Sequence, residues 1–304
     1  MNLPILMANL FLAILLGPLF DGLRRKITAR LQNRIGPPVT QTWYDILKLF
    51  KKENILPENS GFSILVFPTL TLMLSLAMFS TISTVTMESP MDGGAIIFIE
   101  LAVLSAFVLA IAGSAGRNPY GIVGGSREVV LVTLVEPSII VSLTALVLSR
   151  GSATFDDLSK GHGVEIPLAL SIMAYFLSIL AETGRIPFDL AEAESELSGG
   201  SLIEYSGTPL AFIKLGQTVR NLALYSIPKF FVTMFIPLNL IGISHSIAVV
   251  VSYFGSLLLC TLIVSLAESL NARYRLLEAS RFYGMVLTIS LTALILSFLI
   301  HGGK

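Results

Sequence analysis

Residues Arg127 to Ile140 read REVVLVTLVEPSII, an apolar run that carries a carboxylate, Glu136, nine residues from its start. An ionised side chain at the centre of a bilayer costs roughly 2.5–3.5 kcal/mol. The run is therefore either a buried soluble segment or a membrane span in which the carboxylate has a purpose. Composition decides between them: the 304-residue chain is 54% hydrophobic and only 13% charged, against about 25% charged for a soluble domain. Pro137 removes an amide donor and frees the carbonyl of Thr133, so a local kink would admit water beside the carboxyl. Two readings stay open for Glu136: a group that exchanges protons, or a neutral acid bonded to a neighbouring helix.

Around this run the chain alternates between apolar stretches and charged loops. Stretches long enough to cross about 30 Å of hydrocarbon occur near 3–23, 62–84, 95–113, 127–148, 164–182, 209–237, 245–268 and 281–300. The expected fold is all-α: a polytopic membrane protein built as one transmembrane domain over 1–304, a bundle of about eight transmembrane helices. The opening MNLPILMANLFLAILLGPLF has no basic leader region or small-residue cleavage pattern, so it reads as a retained first span. The loops at 24–61, 114–126, 183–208 and 269–280 fall on one side. The first holds eight Lys or Arg, and the others contribute Arg117, Arg185, Arg273 and Arg275, whereas the opposite side offers Arg150, Lys160 and Lys304. By the positive-inside rule those four loops face the cytoplasm and both termini lie outside the cell membrane. No internal repeat is evident.

Within the first loop, TWYDILKLFKK sets Trp43, Ile46, Leu47 and Phe50 at i, i+3, i+4 and i+7, opposite Asp45, Lys48, Lys51 and Lys52. That pattern predicts an amphipathic helix near 41–52 lying in the membrane interface. It serves either as an anchor or as the rim of a lipid or quinone entrance.

Other charges sit where apolar surface is expected. Glu100 falls inside the third span and Glu182 at the end of the fifth. In the sixth, Lys214, Gln217, Arg220 and Asn221 share a broad arc at 100° per residue, which directs polar groups into the bundle. Lys214 and Arg220 are suited to holding carboxylates. Glu268, near a span end, is expected to pair with Arg273 or Arg275. The stretch Ala181–Gly207, AETGRIPFDLAEAESELSGGSLIEYSG, concentrates acid: counting Lys and Arg against Asp and Glu, 182–208 is one minus six, or −5, while 24–61 is eight minus three, or +5. If FDLAEAESEL is helical, Asp189, Glu192 and Glu196 share a face aimed at Arg24, Arg25, Arg30 and Arg34. A solvated acidic face is the plainer alternative.

A formal net charge of zero argues against nucleic acid as a partner. The single cysteine, Cys260, and three scattered histidines, His162, His245 and His301, offer no readable metal, haem or iron–sulfur site.

The motifs ARLQNRIGPP at 29–38, AETGRIPFDLAEAESEL at 181–197 and EYSG at 204–207 resemble the subunit of respiratory complex I that joins its membrane arm to its peripheral arm. The family has relatives in energy-converting nickel-iron hydrogenases and formate hydrogenlyases. The likeness runs over essentially the entire chain, and GGSREVVLVTLVEP at 124–137 with KLGQTVR at 214–220 is similar to the hydrogenase branch. Gln217 stands where complex I proper has a glutamate, which argues against a quinone-linked path.

The resemblance implies a non-catalytic membrane subunit that couples electron transfer to proton or sodium translocation. It implies a proton path through the positions of Glu136, Glu182, Glu192, Glu194, Glu196 and Glu204, to which the residues themselves add Glu100, Asp189, Lys214 and Arg220. Arg24, Arg25, Arg30, Arg34 and Arg185 are the expected docking residues. It further implies iron–sulfur and hydrogenase-like peripheral subunits on the cytoplasmic face, antiporter-like membrane subunits beside the chain, and no cofactor bound here, the clusters and any nickel–iron site being on partner chains. Three other readings remain: a quinone-site or sulfur-reducing subunit of the same family, a stand-alone secondary transporter, and a passive anchor whose acids only dock the partner.

Overall fold

The computed structural model describes residues 3–55, 57, 61–82, 93–115, 118–155, 165–190, 199–230 and 245–301. Among these, α1 spans Leu3–Leu31, α2 Gln41–Lys51, α3 Ser63–Ser80, α4 Gly94–Ala112, α5 Pro119–Arg150, α6 Ile166–Glu182, α7 Gly207–Ser226, α8 His245–Leu270 and α9 Leu276–His301, with a 3₁₀ turn at Gly200–Leu202. The protein is an all-helical, multi-pass membrane protein.

Six described helices are long and apolar enough to cross a bilayer. Within the described residues the two other expected spans fall short for separate reasons, 231–237 of the sixth lying outside those residues. Helix α6 is apolar but only 17 residues long. Helix α7 has its apolar character interrupted by Lys214, Gln217, Arg220 and Asn221.

Helix boundaries follow local chemistry. In α5 the Asn118 side chain accepts from the Tyr120 amide at 2.9 Å, with Pro119 at the first helical position. The helix runs unbroken through Pro137 to Gly151, whose positive φ of 67° ends it. It therefore begins inside the expected loop 114–126. Likewise α1 continues past the expected end of its span, so Arg24, Arg25 and Arg30 are helical residues rather than loop residues.

The bundle packs α3 against α4 and α7, α5 against α4 and α6, α9 against α5 and α6, and α1 against α7 and α8. Helix α2 lies across α1 and α7: Trp43 Nε1 donates to the Leu15 carbonyl at 3.2 Å and Phe50 meets Phe212 edge-on at 5.8 Å. Ile46 is buried while Tyr44 and Leu47 stay exposed, so only part of the expected apolar face turns inward.

Candidate functional site

Four membrane helices converge on one guanidinium. Arg220 of α7 donates from Nε to Ser105 Oγ of α4 at 2.9 Å, and from Nη2 to the Ala102 carbonyl at 3.4 Å. The same nitrogen bonds Glu136 Oε1 of α5 at 3.2 Å and Glu182 Oε1 at the end of α6. All three charged side chains are nearly sealed, 7% exposed for Arg220 and 3% for each glutamate. Glu136 Oε2 is buried with no hydrogen-bond partner among the described residues. Arginine suits this post because its fork serves several acceptors at once. One cation against two carboxylates leaves the cluster with a net charge of −1 when both acids are ionised.

Beside this cluster opens a cavity of about 70 Å³, room for several waters at about 10–15 Å³ each. Helix α5 lines it with Glu128, Leu131, Val132 and Val135, and α7 with Lys214, Gln217, Arg220 and Asn221. The segment after α6 closes it with Thr183, Gly184, Arg185, Phe188 and Asp189. Phe188 anchors that segment by packing on Tyr274, Phe282 and Tyr283 at ring distances of 5.5, 4.9 and 5.4 Å. The Leu190 carbonyl accepts from Arg127 Nη1 at 3.4 Å.

A second buried network lies between α1, α2 and α8. Asp21 accepts from Arg24 at 3.1 Å, Arg185 at 3.3 Å and the Thr42 hydroxyl at 3.0 Å, and forms an ion pair with Arg25 at 3.2 Å. Arg24 also bonds Glu268, which accepts from Thr28 at 3.2 Å. A cavity of about 10 Å³, lined by Asp21, Arg24, Asn221 and Tyr225, adjoins it. Asn221 lines both cavities, the first beside Glu182 and Arg220 and the second beside Asp21 and Arg24.

Several expected residues sit elsewhere. Arg24 is 4% exposed, an internal ion-pair member rather than a docking group, and Arg25 and Arg185 also spend contacts on Asp21. Glu268 pairs with Arg24, not with Arg273 or Arg275, because the end of α8 packs on α1. Asp189 faces Arg273 at 3.0 Å rather than the arginines of 24–34. Arg30 and Arg34 are exposed. Glu100 is exposed on α4, outside the cluster. Glu192, Glu194 and Glu196 lie outside the described residues.

Glu204 does not line the cavity. It stands beside Tyr205, with Oε2 buried and unbonded among the described residues. Burial, then the Glu204 carboxylate, push the Tyr205 phenol above its ordinary range, so its hydroxyl stays a donor, to the Ala112 carbonyl at 2.7 Å. The EYSG motif also has a structural task. Ser206 Oγ accepts from the Ile55 amide at 2.9 Å, and the Thr208 amide donates to Asn54 Oδ1 at 2.7 Å. Gly207, at φ 55°, lies so close to residues 52–54 that a Cβ would strike Asn54 Oδ1 and come within 2.9 Å of the Glu53 carbonyl.

Sequence reasoning missed Asp21 and Glu128. The signal for Asp21 is its spacing, three and four residues before Arg24 and Arg25. For Glu128 it is the stripe Glu128, Leu131, Val132, Val135, Glu136 along one side of α5.

Residues 3–298 match the family described as NADH dehydrogenase. The chain is 35% identical to hydrogenase-4 component C of Escherichia coli K12 over 89% of its length and 88% of that protein's. It is 32% identical to formate hydrogenlyase subunit 4 of the same organism over 90% of this chain and 91% of the relative. NADH-ubiquinone oxidoreductase chain 1 of Emballonura alecto is 31% identical over 77% of this chain and 79% of its own. A chain in the solved structure of the membrane-bound sulfane sulfur reductase, an archaeal respiratory membrane complex, superposes with a TM-score of 0.82 at 22% identity, covering 96% of this chain and 98% of that one. The last is a likeness of fold.

Proposed function

The chain belongs to the NADH dehydrogenase family of membrane subunits, and from that premise we propose that it is the subunit of an energy-converting oxidoreductase, of the membrane-bound hydrogenase type, that anchors the peripheral redox arm and conducts the translocated ion. The observation that carries this reading is the Arg220 cluster: two sealed membrane carboxylates sharing one guanidinium at the wall of a polar cavity. The hydrogenase assignment draws support from relatives matched over about nine-tenths of both chains and from Gln217, a neutral amide among the cavity's polar groups.

The cluster becomes neutral when one of its two acids holds a proton, so it can load and release one proton with little change elsewhere. The cavity offers the water path to it, and the 183–190 segment is the wall nearest a partner docked on that end. Three of the four expected cytoplasmic loops touch at that end, Asn54 bonding Thr208 and Asp189 pairing with Arg273, and Arg127 at the start of the fourth expected span bonds Leu190. That end faces the cytoplasm, with both termini outside the cell membrane. Iron–sulfur and nickel–iron chemistry belongs to partner chains, since Cys260, the only cysteine, is buried within α8. Antiporter-like subunits complete the membrane arm. Translocating one charge against 100 mV costs about 2.3 kcal/mol. A change of about fiftyfold in the cluster's proton affinity, driven by a charge change on the docked partner, is enough for one step.

The test has two parts. The complex extracted in mild detergent should contain iron with nickel and a hydrogenase-like peripheral subunit; a chain that purifies alone and transports ions alone would overturn the reading. Glu182→Gln should then leave electron transfer standing and reduce translocation, whereas a passive anchor would show no such separation.

A further inference from the structure

On α4 the polar contacts and the exposed surface lie on different sides. Ala102 and Ser105, both buried, hold Arg220. The outward stripe is Ile96, Glu100, Leu104 and Ile111, with the three apolar members 52%, 50% and 46% exposed. These positions follow one another at i, i+4, i+8 and i+15, which keeps them on one face. Glu100 has no hydrogen bond or ion pair among the described residues.

The helix has 19 residues, roughly 28 Å at 1.5 Å per residue, about the thickness of the hydrocarbon. Glu100 is the seventh, so it lies roughly 9 Å along the helix from Gly94. A glutamate side chain has too few methylenes to carry its charge that distance to the interface, unlike lysine or arginine. A carboxylate turned toward lipid at this depth is costly, and such acids in membrane segments almost always face protein or water.

We propose that the Ile96–Glu100–Leu104–Ile111 face of α4 is the interface for a transmembrane helix of a neighbouring membrane subunit, and that this helix presents a lysine or arginine to Glu100. The occupant's chemistry follows from charge complementarity: three apolar side chains ask for a membrane helix, and the lone anion among them asks for a cation. The interface rests on the reading of the chain as one subunit of a membrane complex. It places the neighbouring subunit one helix thickness from the Arg220 cluster, since α4 touches that cluster with its opposite side.

The test uses the intact complex in native membranes, with a photo-crosslinking amino acid at Leu104 and, as a control, at Phe298 on α9, which is 63% exposed. Leu104 should give one discrete adduct with a membrane subunit. Only lipid adducts at Leu104, in a complex that still contains other membrane subunits, would overturn the interface while leaving the subunit reading intact. Failure to isolate any complex would instead count against that reading. A second arm compares Glu100→Leu with Glu100→Lys. At an interface both variants lose the neighbouring subunit on detergent extraction, Glu100→Lys at the milder detergent concentration. At a lipid face Glu100→Leu keeps the full subunit set and becomes more resistant to heat, which would also overturn the proposal.

Discussion

Replacing Arg220 by glutamine is the sharpest probe of the buried cluster. The variant keeps a hydrogen-bonding amide near Ser105 but removes the cation that bonds both Glu136 and Glu182. Taking one partner from a buried ion pair typically costs about 3–5 kcal/mol, because the remaining charge is left uncompensated. At 1.36 kcal/mol per decade that is roughly a 10²- to 10⁴-fold fall in the folded-to-unfolded ratio. With a shift of roughly 2 °C per kcal/mol for a chain of this size, the midpoint should drop by about 6–10 °C. Cys260 provides the readout: it is the single cysteine and is 1% exposed, so a thiol-reactive fluorophore labels the detergent-purified chain only as it unfolds. Adding Glu136→Gln should recover part of the loss, with a coupling of about 0.5–3 kcal/mol. A single variant that melts within 2 °C of wild type, or effects that simply add, would refute the shared-cation arrangement.

The second network should respond more mildly: Arg24→Gln leaves Glu268 with the Thr28 hydroxyl while Asp21 keeps Arg25, Arg185 and Thr42, so the same thiol assay should show a loss of about 1.5–3 kcal/mol. Gly207→Ala combines a positive φ with a Cβ driven into residues 52–54, so a loss of at least about 1–2 kcal/mol is expected, visible as a lower midpoint. Phe188→Ala removes the ring that pins the 183–190 segment to α9, at a cost of about 3–5 kcal/mol. Limited proteolysis should then cut within that segment well before it cuts the wild type.

Much of the bundle was legible because hydropathy reports length in a bilayer directly. Glu136 announced itself as a charge in an apolar run, and the arc from Lys214 to Asn221 on α7 was readable from its spacing. Pairing was harder. Glu268 is close in sequence to Arg273 and Arg275, yet α8 delivers it to Arg24 on α1, a tertiary choice no local pattern contains. Asp21 is hidden because it sits inside the apolar run, and α1 continues past it with Asp21 and Arg24 turned inward. Glu100 illustrates the limit of composition: apart from Glu100 and Ser105 α4 is apolar all round, so periodicity cannot say which side of it meets Arg220. The expected partnership of 24–34 with the acidic loop dissolved for Asp189, which found Arg273.

We propose that Glu136, held by Arg220, lies on the path of the translocated ion. Its most direct test is substrate-driven ion uptake into vesicles carrying the Glu136→Gln complex, with electron transfer measured in the same preparation. The variant complex should assemble and continue electron transfer while uptake per electron collapses. Uptake per electron equal to wild type would contradict it.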